Sequence, residues 1–448
     1  MQSKPNVVFV LTDDQGYPPF GCHGHPFIKT PNLDAFHERS VHMEQFHVGP
    51  TCAPTRAGLL TGHYSNSTGV WHTIGGRSLL RANEWTLADA LREDGYRTAL
   101  FGKWHLGDES PYVPHERGFE TAIYHGGGGV SQSHDYWGND YFDDTYWVNG
   151  TPKQFKGYCT DVFFGEALTY IEEHKDEPFF CYISTNAPHA PYNIDNAYYD
   201  LYKDKTDSEE YARFLGMITN IDENFGKLQA KLEELNIADN TILIFMSDNG
   251  QCGYAARGES NVYNCGMRGM KGSEYEGGHR APFLLRYPNG GLDAERAIDD
   301  VTAFVDFMPT ILDLCNVQVP QERTFHGRSI VPLLRGETDD EWRTRCVVTD
   351  SQRLVNPVKW KQSCVLRDTL RLVDRDELYD IATDPSQEHD IAADHPEIVE
   401  ELRTAYEEWW TIVSQQFDDE IPISIGTPSR TEARLNAHDL RNEDMNIA

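Results

Sequence analysis

Residues 49–62 contain a cysteine, a proline and an arginine at a spacing that suits the start of a helix. Pro54 fits the first turn of a helix, and Gly62 fits its end. Cys52 would then lie at the helix N-terminus, where free backbone N–H groups and the helix dipole favour an anion. Arg56 follows one turn later and can offer a planar set of donors to the same anion. Because cysteine is often only a small buried apolar residue, this anion-pocket prediction needs further evidence.

Polar side chains follow four apolar runs that have the length and β-branched content of buried parallel strands. The runs are residues 6–11, 96–101, 178–183 and 241–246. The polar residues that follow them are, in the same order, Asp13 and Asp14, Lys103 and His105, His189, and Asp248 and Asn249. Helical segments separate the runs, which indicates βαβ crossovers and a mostly parallel sheet. Since the carboxyl ends of parallel strands share one edge, we expect these residues to meet there.

These residues have the composition of a metal-assisted site for a tetrahedral anion ester. The predicted metal ligands are Asp13, Asp14, Asp248 and Asn249. Their oxygen atoms suit Ca²⁺ or Mg²⁺ better than zinc, and mixed carboxylate and amide ligation favours Ca²⁺. Arg56, Lys103 and Lys271, the last in a glycine-rich segment before an apolar run at 283–286, would add positive charge. His105 and His189 would transfer protons.

Composition limits the partners of the chain. It has 448 residues and a formal net charge of −32, which argues against nucleic acid and anionic membrane surfaces as partners. It lacks an apolar run long enough to predict a membrane span. The N-terminus shows no basic-then-apolar signal. We therefore expect either a cytoplasmic protein or an exported one whose signal is absent from this sequence.

The sequence predicts an α/β fold in two parts. Residues 1–335 form the larger part, in which 108–158 reads as a long loop rich in Gly, Tyr, Trp and Asp. Residues 336–448 form a small α+β subdomain with short antiparallel strands, a helix from 396 to about 416 and a polar tail. The nine cysteines include no Cys-x-x-Cys pair, so we expect mainly buried free thiols, with one or two disulfides still possible.

Two segments carry a resemblance to a known family. Cys52-Ala53-Pro54-Thr55-Arg56 resembles the Cys-x-Pro-x-Arg maturation signature of type I, formylglycine-dependent sulfatases, and residues 95–107 resemble their second signature. The Asp248-Asn249-Gly250 turn, the Ala187-Pro188-His189 segment and the Lys271-Gly272 loop also fit. The chain is thus similar, over about residues 5–415, to a bacterial carbohydrate sulfatase of the alkaline-phosphatase-like superfamily. That implies a large mixed, mostly parallel sheet flanked by helices, with a small C-terminal subdomain.

The resemblance also implies a mechanism and a cofactor. A maturase, as a transient partner, would oxidise Cys52 to formylglycine, whose hydrate attacks sulfur through one hydroxyl. One Ca²⁺ ion would be held against the sulfate by residue 52 together with Asp13, Asp14, Asp248 and Asn249. Arg56 would stabilise the diol, while Lys103, Lys271 and His189 would bind sulfate oxygens. His189 would also protonate the leaving alcohol, and His105 would take the proton from the second hydroxyl, which expels sulfate.

The substrate is predicted less directly. Loop aromatics between residues 124 and 147 and local basic residues favour a sulfated sugar over an aryl or steroid sulfate. Candidate sugar contacts are His72, Arg77, His125, His279 and Arg280, although each also has an ordinary structural interpretation. Two alternatives stay open: a phosphonate or phosphate ester hydrolase of the same fold, and a non-catalytic protein that binds sulfated glycans. Activity on polysaccharides would imply a periplasmic or secreted protein, with a cytoplasmic location still open.

Overall fold

A ten-stranded sheet, here called the main sheet, forms the centre of the computed structural model. The structure describes residues 4–73, 77–130, 135–260, 262–338, 340–350, 352–354, 356–417, 421–427 and 430–436. In spatial order the strands are Arg296–Ile298, Val41–Met43, Phe283–Arg286, Thr241–Ser247, Asn6–Thr12, Phe179–Ser184, Arg97–Lys103, Thr121–His125, Thr145–Val148 and Thr151–Gln154. The five strands from Thr241–Ser247 to Thr121–His125 run parallel, and four of them correspond to the predicted apolar runs.

Helices cover both faces of the main sheet because the central strands are apolar on both sides. In the first strand, Val7, Phe9 and Leu11 join one hydrophobic cluster, while Val8 and Val10 join another. Residues of helices Cys52–Thr61, Leu87–Glu93 and Phe307–Leu314 lie in the first cluster. Residues of helices Pro31–His37, Cys159–Glu173 and Glu209–Glu234 lie in the second. The result is the large mixed, mostly parallel sheet flanked by helices that the sequence predicted.

The prediction of a long loop at residues 108–158 is wrong. This region contributes Thr121–His125, parallel to its neighbour, and the antiparallel strands Thr145–Val148 and Thr151–Gln154. The three strands are short and separated by glycine-rich and polar loops. The last of them is exposed along its whole length, so no buried alternation marks it in the sequence. Pairing with a sheet edge, rather than local apolar content, makes these segments strands.

A smaller antiparallel sheet, here called the C-terminal sheet, consists of Val347–Asp350, Ser363–Arg367, Leu370–Val373 and Glu377–Asp380. Successive side chains point to opposite faces of a strand, and this sheet uses both faces. Val347 joins the cluster of the main sheet, whereas Val348 joins a third cluster with helix Pro396–Val413. The small C-terminal α+β subdomain that the sequence predicted is therefore present in the described residues.

The remaining elements are short. Thr302–Ala303 pairs with Phe46–His47, and Pro422–Thr427 pairs with Arg430–Asn436 inside the segment predicted as a polar tail. The other α-helices are Asn196–Tyr199, Glu276–His279, Val331–Leu334 and Asp340–Thr344. All nine cysteines are free thiols, in agreement with the prediction. No helix in the described part of the chain combines the length and the apolar content needed to cross a bilayer.

A buried ion pair joins the C-terminal sheet to the larger part of the chain. The Arg371 Nε atom lies 2.8 Å from Glu276 Oε2, and Arg371 Nη2 lies 2.6 Å from Gln45 Oε1. Burial by itself would raise the pKa of Glu276, but the charge of Arg371 and the neighbouring histidines hold that pKa well below its usual range. Glu276 is thus a buried carboxylate whose charge is stabilised most strongly by Arg371.

We expect the Arg371→Met variant to lose about 3 kcal/mol of unfolding free energy, because it removes the nearest cation of the buried Glu276 carboxylate and leaves, among the described arginines, only Arg280, at 3.7 Å. Denaturant unfolding measures this loss. The double variant Glu276→Gln/Arg371→Met removes both charges and should recover part of the stability. Equal stabilities for the single variant and the parent protein would show that Glu276 does not need the pair.

Candidate active site

The carboxyl ends of neighbouring parallel strands bring the predicted site residues together. Asp13 and Asp14 follow the strand Asn6–Thr12, and Asp248 follows the adjacent strand Thr241–Ser247. The backbone N–H of Asp248 donates to the carbonyl oxygen of Thr12 at 3.0 Å, which fixes the two strand ends side by side. The backbone N–H of Asp14 also donates to Asp248 Oδ1 at 3.1 Å. The meeting of these carboxylates at one sheet edge follows from the parallel order of the strands.

Three carboxylates and three cations form ion pairs in this cluster. The pairs are Asp13 Oδ2 with Lys103 Nζ at 2.5 Å, Asp14 Oδ1 with Lys271 Nζ at 2.5 Å, and Asp248 Oδ2 with Arg56 Nη2 at 2.7 Å. Arg56 Nη1 also donates to the hydroxyl of Ser184. Lys271 is partly exposed, while Asp13, Arg56, Lys103 and Asp248 are fully buried. Each predicted cation thus lies beside a predicted acidic ligand.

Cys52 is the first residue of helix Cys52–Thr61, which ends at Gly62 in a left-handed conformation with φ of 69°. A ligand atom of Cys52 lies with those of Asp13 and Asp248 in a group whose members are all within 4.8 Å of one another. The Lys271 segment reaches the same place because the backbone N–H of Gly272 donates to the carbonyl oxygen of Pro50 at 2.9 Å. The helix N-terminus, the acidic strand ends and the lysine loop therefore form one site.

Two oxygen atoms of the predicted metal ligands are buried without a hydrogen-bond partner within the described residues: Asp13 Oδ1 and Asn249 Oδ1. Asn249 Nδ2 donates to Asp14 Oδ1 at 2.9 Å, so its oxygen is left for another partner. A buried polar oxygen without a partner is costly. The donor set is made of carboxylate and amide oxygens, which are the ligands Ca²⁺ prefers. The residues present therefore fit a calcium ion.

The two predicted proton carriers have different hydrogen bonds. His105 Nε2 donates to the carbonyl oxygen of Thr73 at 2.9 Å, which leaves its buried Nδ1 without a partner among the described residues. His189 Nδ1 donates to the carbonyl oxygen of Ala190 at 2.7 Å, and its Nε2 lies 3.7 Å from Asp14 Oδ2. One ring nitrogen of each histidine is thus fixed by backbone, and the other is available for proton transfer.

Burial and local charge set the ionisation of these groups. The pKa of His189 is lowered to about 4, mainly by burial and also by the charges of Lys271 and Lys103, while the charge of Asp14 opposes the shift. Burial also lowers the pKa of His105 well below its usual range, and Lys103 adds to the effect. Both histidines are therefore neutral near pH 7. Burial raises the pKa of the Cys52 thiol, so that side chain is protonated there as well.

A cavity of about 650 Å³ opens onto the cluster. Five predicted site residues line it: Asp14, Cys52, His105, His189 and Lys271. The volume lies within the range of about 300–1,000 Å³ that small-molecule sites usually have. The cavity gives a ligand access to Cys52. The base of the site is fully buried and consists of Asp13, Arg56, Lys103, Asp248 and Asn249.

The five predicted sugar contacts are not among the described residues that line this cavity. Arg77 lies over the ring of Trp71 at 3.9 Å, and His72 accepts a hydrogen bond from the backbone of Thr73. His125 is fully buried and pairs in register with Lys103.

The other two predicted contacts belong to the buried network around Glu276. His279 Nδ1 lies 2.9 Å from His47 Nδ1. Arg280 Nη1 lies 3.7 Å from Glu276 Oε1, and the guanidinium group of Arg280 lies over the ring of Tyr17. Both residues thus have protein partners.

Several cavity residues were not predicted from the sequence. They are Thr73, Gly128, Ala190, Tyr192, Cys252, Gly253, Tyr254, Arg257, Gly272 and Arg353. Tyr192 follows His189 closely, and Tyr254 and Arg257 follow the turn at Asp248. Their positions shortly after predicted site residues could have indicated that they line the cavity. Arg353 comes from the C-terminal part of the chain, and no local pattern connects it with the site.

The family model described as Sulfatase matches residues 5–317, which is more than half of the chain and includes every residue of the ion-pair cluster. The chain belongs to the sulfatase family. A second family model, described as N-sulphoglucosamine sulphohydrolase, C-terminal, matches residues 270–410, which contain the Lys271 segment and the C-terminal sheet.

Several curated sulfatases resemble this one. Arylsulfatase J of Mus musculus is 30% identical over 345 residues, covering 73% of this chain and 55% of the relative. The ulvan-active sulfatase of Formosa agariphila is 30% identical over 376 residues, covering 77% and 68%. The N-acetylglucosamine-6-O-sulfatase of Bacteroides thetaiotaomicron is 26% identical over 435 residues, covering 76% and 73%. This chain therefore spans about half the length of the first relative and about two thirds to three quarters of the other two.

Solved structures share the fold. The structure of Ps i-CgsB in complex with k-i-k-neocarrahexaose has a TM-score of 0.81 at 24% identity, covering 93% of this chain and 94% of that chain. The phosphonate monoester hydrolase of Agrobacterium radiobacter has a TM-score of 0.65 at 20% identity, covering 92% and 96%. At these identities the likeness concerns the fold alone, and the second neighbour shows that the fold also serves another ester.

Proposed function

We propose that this sulfatase removes sulfate from a sulfated saccharide, using a formylglycine made from Cys52 and one Ca²⁺ ion. The observation that carries the proposal is the group of Asp13, Cys52 and Asp248, all buried and within 4.8 Å of one another at the base of the cavity. The names of the ulvan-active and N-acetylglucosamine-6-O-sulfatases support a saccharide as the carrier of the sulfate. A formylglycine-generating maturase is then a transient partner.

The calcium ion would be held by residue 52 with Asp13, Asp14, Asp248 and Asn249. The buried oxygens Asp13 Oδ1 and Asn249 Oδ1 support this ligand set, because no other described group satisfies them. Three carboxylates in the cluster already balance three cations. A bound divalent ion would therefore leave the site positive, which favours an anionic sulfate ester. The ion supplies Lewis-acid polarisation of the sulfate oxygens.

The residues around Cys52 have separate roles in this proposal. A formylglycine hydrate supplies one hydroxyl for attack on sulfur and a second whose deprotonation regenerates the aldehyde. Arg56, fixed by Asp248, orients residue 52 from the side of the sheet. Lys103 and Lys271 bind the sulfate oxygens and stabilise the charge that develops on them. Their pairing with Asp13 and Asp14 keeps both ammonium groups close to residue 52.

The two histidines transfer protons in opposite directions. His105 presents its unpartnered Nδ1, so it accepts a proton from the hydrate. His189 lines the cavity, and a bound sulfate ester brings negative charge next to it, which raises its pKa. His189 can then hold a proton on Nε2 and give it to the leaving sugar oxygen. The backbone bonds of both rings keep these tautomers.

Two further parts of the proposal concern the whole protein. Residues 1–335 would carry the reaction, and residues 336–448 would form a subdomain that supports it and contributes Arg353 to the cavity. Export to the periplasm or the medium, where sulfated polysaccharides are found, remains a prediction.

Competing ester substrates test the reaction. The protein is co-expressed with a formylglycine-generating enzyme and assayed with sulfated oligosaccharides and with aryl sulfate, aryl phosphate and phosphonate monoesters. We expect kcat/KM for sulfate esters to exceed that for phosphate and phosphonate by about tenfold or more, a difference of about 1.4 kcal/mol. A preference for phosphate or phosphonate would contradict the proposal. Binding of sulfated oligosaccharides without sulfate release would favour the non-catalytic alternative.

A further inference from the structure

Two arginines that line the cavity have no acidic partner among the described residues. Arg257 and Arg353 both lie among the cavity residues, and both are exposed. Neither forms an ion pair with any described residue, although the chain carries 71 acidic residues against 39 Lys and Arg. Lys271, Asp14 and the other charges at the base of the cavity are paired with one another. The two guanidinium groups are therefore free positive charge above a site that is already balanced.

An exposed aromatic ring accompanies one of these arginines. Tyr254 has 62% of its surface exposed although it lines the cavity. The guanidinium carbon of Arg257 lies 4.1 Å from the centre of the Tyr254 ring. The backbone N–H of Arg257 donates to the carbonyl oxygen of Tyr254 at 3.2 Å, so a turn holds the two side chains together. Stacking on an aromatic face leaves the N–H donors at the edge of the guanidinium available for an anion.

Arg353 approaches the same cavity from the C-terminal part of the chain. It lies near His72, whose pKa is lowered to about 4 mainly by burial and further by the charge of Arg353. His72 is therefore neutral near pH 7 and contributes no competing charge. Thr73, the next residue, lines the cavity and accepts the hydrogen bond of His105. Arg353 thus adds positive charge near His72 and Thr73, and Thr73 is the residue that holds the His105 ring.

We propose that Tyr254, Arg257 and Arg353 form a subsite for a second anionic group on the saccharide, separate from the sulfate that is removed. The ring of Tyr254 would stack on the apolar face of a sugar, and the two guanidiniums would bind a sulfate or carboxylate on that sugar or its neighbour. This inference rests on the proposed sulfatase function. It defines the substrate class as a saccharide with at least two anionic groups, of which one is the scissile sulfate ester.

The first test compares three oligosaccharides of the same backbone: one with a single sulfate, one with a second sulfate, and one with a uronic carboxylate. In the parent protein we expect a lower KM for one or both dianionic substrates. In the Arg257→Met/Arg353→Met variant, KM for that substrate should rise about tenfold, a change of about 1.4 kcal/mol, with a smaller change in kcat. The two dianionic substrates distinguish a sulfate-binding subsite from a carboxylate-binding one.

The ratio of kcat/KM values between dianionic and monoanionic substrates separates recognition from structural damage. The variant should lower this ratio, whereas a general structural defect would lower both values and leave the ratio unchanged. An unchanged ratio would overturn the subsite. The matched control is Arg39→Met, which removes an exposed arginine that is not among the cavity residues. It should keep the ratio of the parent protein.

Binding tests the subsite independently of catalysis. In the Cys52→Ala background, calorimetry with the dianionic oligosaccharides should show about tenfold weaker binding after the additional Arg257→Met/Arg353→Met change. The difference should shrink at high salt, because exposed charges are screened. If no sulfate ester is hydrolysed but this binding difference is present, the proposed reaction fails and the subsite stands. Equal affinities of the two proteins for both dianionic oligosaccharides would overturn the subsite whatever the activity.

Discussion

Replacing Cys52 by alanine should lower sulfate release by on the order of 10⁶-fold, since removal of a nucleophile costs about that much in an enzyme with covalent catalysis. Serine at this position should also be strongly impaired, because a single hydroxyl cannot provide both the attack on sulfur and the later expulsion of sulfate. Initial rates with a sulfated oligosaccharide and with an aryl sulfate measure the loss. Mass analysis of the peptide that contains residue 52 should show the aldehyde in active protein and its absence in both variants.

Cys346→Ser is the matched control for this prediction. Cys346 is also a free cysteine, but it lies at the edge of the C-terminal sheet and outside the cavity lining. Its replacement should leave both the rate and the mass of the Cys52 peptide unchanged. Full activity of protein whose Cys52 remains a thiol would contradict the formylglycine proposal. A raised pKa keeps that thiol protonated, so a simple thiolate nucleophile is not expected in its place.

Replacing Asp13 by asparagine should remove the response to calcium and lower kcat by on the order of 10³-fold, because several kcal/mol of charge stabilisation depend on the ion. In the parent protein, Ca²⁺ at about 100 times its Kd should add about 2.7 kcal/mol to the unfolding free energy. Thermal unfolding with Ca²⁺ and with a chelator measures this effect without any assay of activity. In Asp13→Asn the two unfolding curves should coincide.

The variant Asp222→Asn is the control for a buried aspartate that is not a proposed ligand. Asp222 lies in the helix Glu209–Glu234 and accepts hydrogen bonds from the backbone of Leu33 and the side chain of Asn32, each at 2.8 Å. Its replacement should lower stability but preserve the calcium-dependent shift. A calcium-dependent shift of parental size in Asp13→Asn would exclude Asp13 from the ion site.

The base of the candidate site was predictable because its residues follow easily recognised strands. The apolar runs before Asp13, Lys103, His189 and Asp248 have to be buried, and parallel strands place their carboxyl ends at one edge. The structure adds the ion pairs between these residues. It joins Asp13 to Lys103 and Asp14 to Lys271, although these residues lie far apart in the chain.

The rim of the cavity was not predictable in the same way. The five basic residues predicted as sugar contacts are not among the described residues that line the cavity. The exposed arginines that do line it, Arg257 and Arg353, were not predicted. Histidines and arginines occur on any surface, and nothing in the local sequence tells whether an acidic residue will neutralise them. Arg280 lies near Glu44 and Glu276, which are distant in the sequence, whereas Arg257 has no acidic partner in the part of the chain that the structure describes.

The sequence by itself determined the α/β class, the strand-end clusters, the helix that begins at Cys52 and the resemblance to sulfatases. These features depend on local patterns, namely apolar runs, helix ends and fixed motifs. Only the tertiary structure decided that Thr121–His125, Thr145–Val148 and Thr151–Gln154 extend the main sheet. It also decided that the C-terminal sheet is anchored through Arg371, and that Tyr254, Arg257 and Arg353 line one cavity. Edge pairing and charge neutralisation are contacts between distant segments, so their free energy appears only once the chain is folded.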